Sequence, residues 1–167
     1  MRVVIIGGVA AGMSAATRLR RLDESAEIVV FERGEHVSYA NCGLPYFISD
    51  VISDREALLL QTPESLHRRF RLDVRVRNEV VSINRAEKTV IARDLNTGVE
   101  VVEPFDHLVI ATGARPRPLN IPGDERMLAL RDVLDADRAK EAVKLGGVKT
   151  VAIIGGGFSG LWTAFHL

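Results

Sequence analysis

Cysteine is almost missing from this sequence: Cys42 is the only one in 167 residues. A lone thiol cannot close a disulfide within the chain, which excludes a stapled framework and, with it, a Cys-rich metal centre. If Cys42 is redox-active, its partner must come from outside as a mixed disulfide, a persulfide or a sulfenic acid. No apolar run approaches the roughly 18 residues that a spanning helix needs, and no charged-then-apolar leader precedes the first strand. Neither a membrane span nor an export signal is expected, and a cytoplasmic location is. Charge of one sign is not in excess either: 22 Lys and Arg balance 22 Asp and Glu. That removes any general attraction to nucleic acid or an anionic membrane. His36, His67, His107 and His166 lack ligand spacing, so no metal is expected. What remains is globular: 47% hydrophobic and 26% charged, enough for one ordinary core.

Residues 3–6 form a continuous β-branched run, the pattern of a strand covered on both faces of a parallel sheet. Gly7-Gly8-Val9-Ala10-Ala11-Gly12 follows at once, and Met13, Ala16, Leu19 and Leu22 then fall at helical spacing. A second strand at 27–31 ends in Glu32, about twenty residues beyond the last glycine. Strand, glycine turn, helix and acidic strand end together predict a dinucleotide site. The pyrophosphate would rest on the helix N-terminus and Glu32 would accept hydrogen bonds from ribose hydroxyls. Val9 stands where the usual pattern has its middle glycine, while the outer Gly7 and Gly12 are kept.

Cys42 sits in Ser38-Tyr39-Ala40-Asn41-Cys42-Gly43-Leu44-Pro45-Tyr46. Asn41 and Gly43 favour turns and Pro45 cannot lie inside a helix, so Cys42 is expected at or just before a helix start. Backbone N–H groups and the positive dipole end stabilise a thiolate there. Thr62, Pro63 and Glu64 read as N-cap, first-turn proline and dipole-favoured acid of a short helix. Alternating segments at 73–76, 79–83, 89–93 and 99–102 predict a small antiparallel excursion turning at 96–98. Residues 106–111 read as another buried strand running into Thr112-Gly113.

A Pro-rich stretch at 115–122 reads as a boundary, giving domains 1–113 and 114–167. Residues 128–143 then read as helix and 148–154 as a buried strand. The strand leads to Gly155-Gly156-Gly157-Phe158-Ser159-Gly160, a full G-x-G-x-x-G with Gly155, Gly157 and Gly160 in place. The fold expected is α/β: a Rossmann-type domain with an antiparallel excursion, then the start of a second Rossmann-type domain. The chain stops at Leu167 with no second strand and no acidic ribose ligand, so it is expected to be the front of a longer protein or a truncated copy.

Two such turns flanking a single-Cys loop resemble the flavin-dependent pyridine nucleotide–disulfide oxidoreductases. The Gly-Gly-Val-Ala-Ala-Gly-Met-Ser-Ala-Ala-Thr opening and Ser-Tyr-Ala-Asn-Cys-Gly-Leu-Pro-Tyr are similar to coenzyme A-disulfide and persulfide reductases. The resemblance implies FAD contacts along Gly7, Gly8, Val9, Ala10, Ala11 and Gly12, and at Glu32, Arg33, Asn41, Cys42, Val80, Thr112, Gly113 and Arg131. NADH or NADPH would take Gly155, Gly157 and Gly160. Cys42 would be the redox thiol, and coenzyme A disulfide or persulfide would contact Ser14, Arg18, Arg21, Ser38 and Asn41. It also implies a homodimer in the full-length protein. Two alternatives stand beside it: an NADH oxidase or peroxidase cycling Cys42 through sulfenic acid, and an inactive nucleotide-binding fragment. The oxidase relatives commonly carry His where this chain has Ala10. Family members usually continue the second glycine helix with Ile and then Leu-Glu; here Ser159 and Trp162 occupy the Ile and Glu places.

Overall fold

A computed structural model describes residues 1–145 and 148–167. The elements follow in the order β1 (Arg2–Ile6), α1 (Ala10–Leu22), β2 (Glu27–Phe31), α2 (Leu44–Ile48), α3 (Pro63–Phe70), β3 (Asp73–Arg75), β4 (Asn78–Asn84), β5 (Thr89–Asp94), β6 (Glu100–Pro104), β7 (His107–Ile110), α4 (Val133–Leu145) and α5 (Phe158–His166). The chain forms two compact units, Met1–Tyr39 with Leu59–Gly113, and Ala40–Leu58 with Ala114–Leu167.

In the first unit β3, β2, β1 and β7 make a parallel sheet in that order. Because side chains alternate along a strand, Val3, Ile5, Ile28 and Val30 pack on one side against Met13 and Ala16 of α1 and Leu66 of α3. Val4, Val29 and Phe31 face the other way and meet Val90 and Ala92 of β5. The antiparallel β4-β5-β6 sheet thus covers the face that the helices leave bare. Both faces being buried accounts for the unbroken apolar run in β1. Buried Glu103 of β6 ties the two sheets together, accepting from Arg2 of β1 and, at 2.8 Å, from Arg75 of β3.

Arg20 is buried in α1, and each of its three guanidinium nitrogens donates a hydrogen bond. Its Nε donates to the Phe70 carbonyl at 2.8 Å, Nη1 to Glu24 at 2.7 Å and Asp23 at 3.3 Å, and Nη2 to Arg71 at 3.1 Å. These are carbonyls that the ends of α1 and α3 leave without helical partners. Arg20→Met would keep the packed stem but strand those carbonyls, and is expected to lower the unfolding free energy by about 3 kcal/mol, measurable by urea denaturation.

Three expectations are corrected. The 73–76 segment is not antiparallel: β3 pairs parallel with β2, because α3 returns the chain to the same sheet as a crossover. The 128–143 helix starts only at Val133, since Asp132 caps it with its side chain, accepting the Asp135 N–H at 2.9 Å. Residues 148–154 form no strand and are exposed. A buried parallel strand needs neighbours to pair with, and no described segment of the second unit is a strand.

Candidate dinucleotide site and the Cys42 turn

Because β1, β2 and β7 are parallel, their C-terminal ends share one edge, where open α/β sheets bind ligands. The turns leaving that edge are tied together: the Gly7 N–H donates to the Phe31 carbonyl at 2.8 Å and the Ala111 N–H to the Ile6 carbonyl at 2.8 Å. Gly7 has φ +105°, and a Cβ on it would lie 2.2 Å from the Ala111 oxygen. A Cβ on Gly12 would lie 1.8 Å from the Gly7 oxygen and 3.3 Å from Ile5 Cγ2. Only a bare backbone lets α1 seat this closely on β1. The Val9 N-cap supplies no side-chain hydrogen bond and the first turn of α1 has no acid. Its N–H groups are therefore open to an anion.

Glu32 is held beside the turn. Its Oε2 accepts the Gly8 N–H and its Oε1 the Gly34 N–H, each at 2.7 Å. Each oxygen keeps a further lone pair for a hydroxyl. The Gly8 carbonyl in turn accepts the Ser38 N–H at 2.9 Å, and Ser38 has a left-handed φ of +49°. A serine in that region is strained by about 1 kcal/mol or more.

Of the residues singled out in the sequence, Gly7 to Gly12, Glu32, Ser38 and Thr112 come together at this edge, with exposed Gly113 next in the chain at φ +66°. Arg33 is exposed beside Glu32 in the chain. Ser14, Arg18 and Arg21 are exposed at i, i+4 and i+7 on α1, one stripe of the helix. Val80 lies at a bulge in β4 and packs against the Val4, Val29 and Phe31 cluster. Sequence reasoning missed Gly34 and Val37. Gly34 is the second amide on Glu32, and Val37 Cγ1 would lie 2.7 Å from a Cβ on Gly8. A glycine two residues after an acidic strand end is the signal that was available for the first.

The second unit holds Asn41, Cys42, Arg131 and the second glycine turn. Cys42 is exposed in a single 3-10 turn, Asn41–Gly43, that runs directly into α2, so the expected helix start is present but is only five residues long. The Gly43 N–H donates to Ala40 at 2.9 Å, and a Cβ on Gly43 would meet Leu58 Cδ2 at 2.9 Å. Arg131 Nε donates to the Ala114 carbonyl at 2.7 Å. The second glycine turn repeats the first. Gly155 has φ +107°, a Cβ on Gly160 would lie 2.2 Å from the Gly155 oxygen and 3.2 Å from Ile153 Cγ2, and the Gly157 N-cap offers no side-chain hydrogen bond. Its local geometry thus forms without a paired strand before it. Hydrogen bonds from Lys140 and Lys144 hold the Asp50 carboxyl below its ordinary value of 3.8, so these pairs are intact at neutral pH and fail only in strong acid.

Residues 1–167 match the pyridine nucleotide-disulphide oxidoreductases throughout. The chain belongs to that family. Coenzyme A disulfide reductase of Staphylococcus aureus (strain JH9) is 34% identical over 160 residues, which is 96% of this chain and 36% of that protein. The chain therefore spans about a third of the length of the curated relatives it matches. The structure of reduced Bacillus anthracis CoADR-RHD superposes with a TM-score of 0.94 at 45% identity, covering 99% of this chain and 30% of that one. A NAD-dependent persulfide reductase from A. fulgidus gives 0.93 at 36% identity, covering 99% and 31%. A parallel sheet and a three-stranded antiparallel sheet occur together in this chain. Among the described residues no helix is long and apolar enough to cross a membrane, and no cluster could hold a metal ion.

Proposed function

We propose that the chain supplies the flavin-binding front of a reductase that passes electrons from NADH or NADPH through FAD and Cys42 to coenzyme A disulfide or a coenzyme A or low-molecular-weight persulfide. The observation that carries this reading is the sole thiol of the chain, exposed in a turn, in a family of disulphide oxidoreductases. FAD would occupy the edge formed by Gly7 to Gly12, Glu32 and Thr112. The residues fit: a Cβ-free cradle faces an uncapped helix N-terminus, and a carboxylate with acceptor capacity stands beside it. Bound FAD would supply a two-electron store filled by hydride from the nicotinamide.

The chain's own part is then binding and sulfur chemistry. The N–H groups of α1 neutralise the pyrophosphate, and Glu32 orients the ribose. The Cys42 thiolate attacks one sulfur of the disulfide; the Cys42 S–S bond forms as the substrate S–S bond breaks, and the other half leaves as thiolate. Two electrons and a proton then regenerate the Cys42 thiolate and release the second thiol. Ser14, Arg18, Arg21, Ser38 and Asn41 would bind coenzyme A, the two arginines meeting its phosphates. The second glycine turn, Gly155, Gly157 and Gly160, would take the nicotinamide dinucleotide, dividing the chain into the N-terminal part of a flavin domain at 1–113 and, at 114–167, a linker with the incomplete start of a nicotinamide domain. Arg33, Val80 and Arg131 would complete the flavin contacts. Cytoplasmic location and a homodimeric full-length protein belong to the same reading.

Flavin absorbance of the purified protein tests the first site. Anaerobic titration with NADH should bleach it, and coenzyme A disulfide should restore it with two thiols released per disulfide. Bleaching by NADH with no restoration by disulfide or persulfide would discard the acceptor. Ala10 stands where, on the resemblance drawn from the sequence, the oxidases commonly carry His, which supports sulfur over oxygen acceptors.

A further inference from the structure

Segment 40–58 closes on itself: the Ala40 N–H donates to the Leu58 carbonyl at 2.8 Å and the Ile52 N–H to the Tyr46 carbonyl at 3.0 Å. The loop carries Cys42 near its start and meets two helices of its own unit. From α4, Lys140 Nζ reaches Asp50 at 2.8 Å with its side chain only 12% exposed, and it stands 3.6 Å from the centre of the Phe47 ring. Lys144 adds a second ammonium on Asp50 at 2.9 Å, and Asp137 takes the Arg55 guanidinium at 3.0 and 2.9 Å. Asp137, Lys140 and Lys144 fall at i, i+3 and i+7, so one face of α4 makes all these contacts. From α5, the Trp162 indole meets the Tyr46 ring at 5.8 Å, edge to face, and His166 lies 4.4 Å from the same ring. Phe158 and Phe165 of the same helix stack near Trp162 at 5.7 and 6.0 Å.

An exposed ion pair holds little. Lys140 is different, since its side chain is mostly covered and its ammonium has a carboxylate on one side and a ring face on the other. The Cys42 turn by itself is a single 3-10 turn, too little to aim a side chain. Sulfur transfer demands reacting atoms placed to within a fraction of an ångström.

We propose that Lys140 and Trp162 are positioning residues for Cys42, Lys140 acting through Asp50 and Phe47 and Trp162 through Tyr46, so that loop 40–58 presents the thiol in one orientation. The proposal rests on Cys42 being the redox thiol.

Hydrogen exchange across residues 40–58 tests it. Lys140→Met and Trp162→Ala should each speed exchange there by about 10-fold, leaving the amides of β1 and β2 unchanged, and Lys140→Arg and Trp162→Phe should restore slow exchange. In the flavin-loaded protein the same two variants should lower kcat for disulfide reduction by about 10-fold with KM unchanged, while flavin reduction by NADH keeps its rate. Unaltered exchange at 40–58 in both variants, or equal losses in the two half-reactions, overturns the proposal. Undiminished disulfide turnover by Cys42→Ser would instead overturn the redox reading, and the positioning of that thiol with it.

Discussion

Gly12→Val is expected to abolish flavin retention and to destabilise the first unit by about 3 kcal/mol or more. The reason is geometric. A Cβ at this position would lie 1.8 Å from the Gly7 carbonyl oxygen and 2.9 Å from the Gly7 carbonyl carbon, and both are backbone. No rotamer relieves a clash with backbone, so α1 must lift off β1. Lifting it moves the open N–H groups away from the position where they meet a pyrophosphate, and it opens the contact of Met13 and Ala16 with Val3 and Ile5. Gly160→Val is the control with the same local geometry, its Cβ 2.2 Å from the Gly155 oxygen. It should leave flavin content and the stability of the first unit alone while weakening NADH binding. Flavin absorbance and urea denaturation read both variants. Normal flavin content in Gly12→Val would remove the assignment of the first turn.

The β1-α1-β2 unit was legible because each of its signals is local. A β-branched run, glycines at fixed offsets, a 3.6-residue apolar period and an acid at the strand end are read within about thirty residues. Thr62 and Pro63 likewise announce α3, and the structure adds the reciprocal bonds between Thr62 and Ser65. What was not legible depends on distant partners. β3 alternates like its antiparallel neighbours, and only the place where α3 delivers the chain makes it parallel. Residues 148–154 have the composition of a buried strand, but burial needs a sheet to join. Within Arg18-Leu19-Arg20-Arg21 three arginines look alike, and only the helix face separates buried Arg20 from the exposed pair. The pairs Asp50 with Lys140 and Arg55 with Asp137 join residues far apart in the chain, and no spacing rule points to them.

If the proposed reading holds, Cys42→Ser in the full-length protein is expected to eliminate turnover of coenzyme A disulfide or persulfide while leaving reduction of the flavin by NADH at its ordinary rate, because the hydride step does not use the thiol. A hydroxyl is far less nucleophilic toward sulfur than a thiolate and cannot form the mixed disulfide. With no second cysteine in the chain, nothing here replaces it. Arg18→Ala combined with Arg21→Ala should act on a different quantity. Both side chains are exposed on α1, so their removal is expected to spare the fold. If they hold coenzyme A phosphates, two charge-assisted bonds of roughly 1.5–3 kcal/mol each are lost, and KM for coenzyme A disulfide should rise by about 10²-fold or more. A small disulfide without phosphates has no such contacts to lose, and its turnover should be unchanged. Rapid-mixing measurement of flavin reduction, with steady-state rates on both disulfides, separates the two sets of residues. Equal losses on both disulfides in the double variant would mean that the arginines support the fold and do not select the substrate.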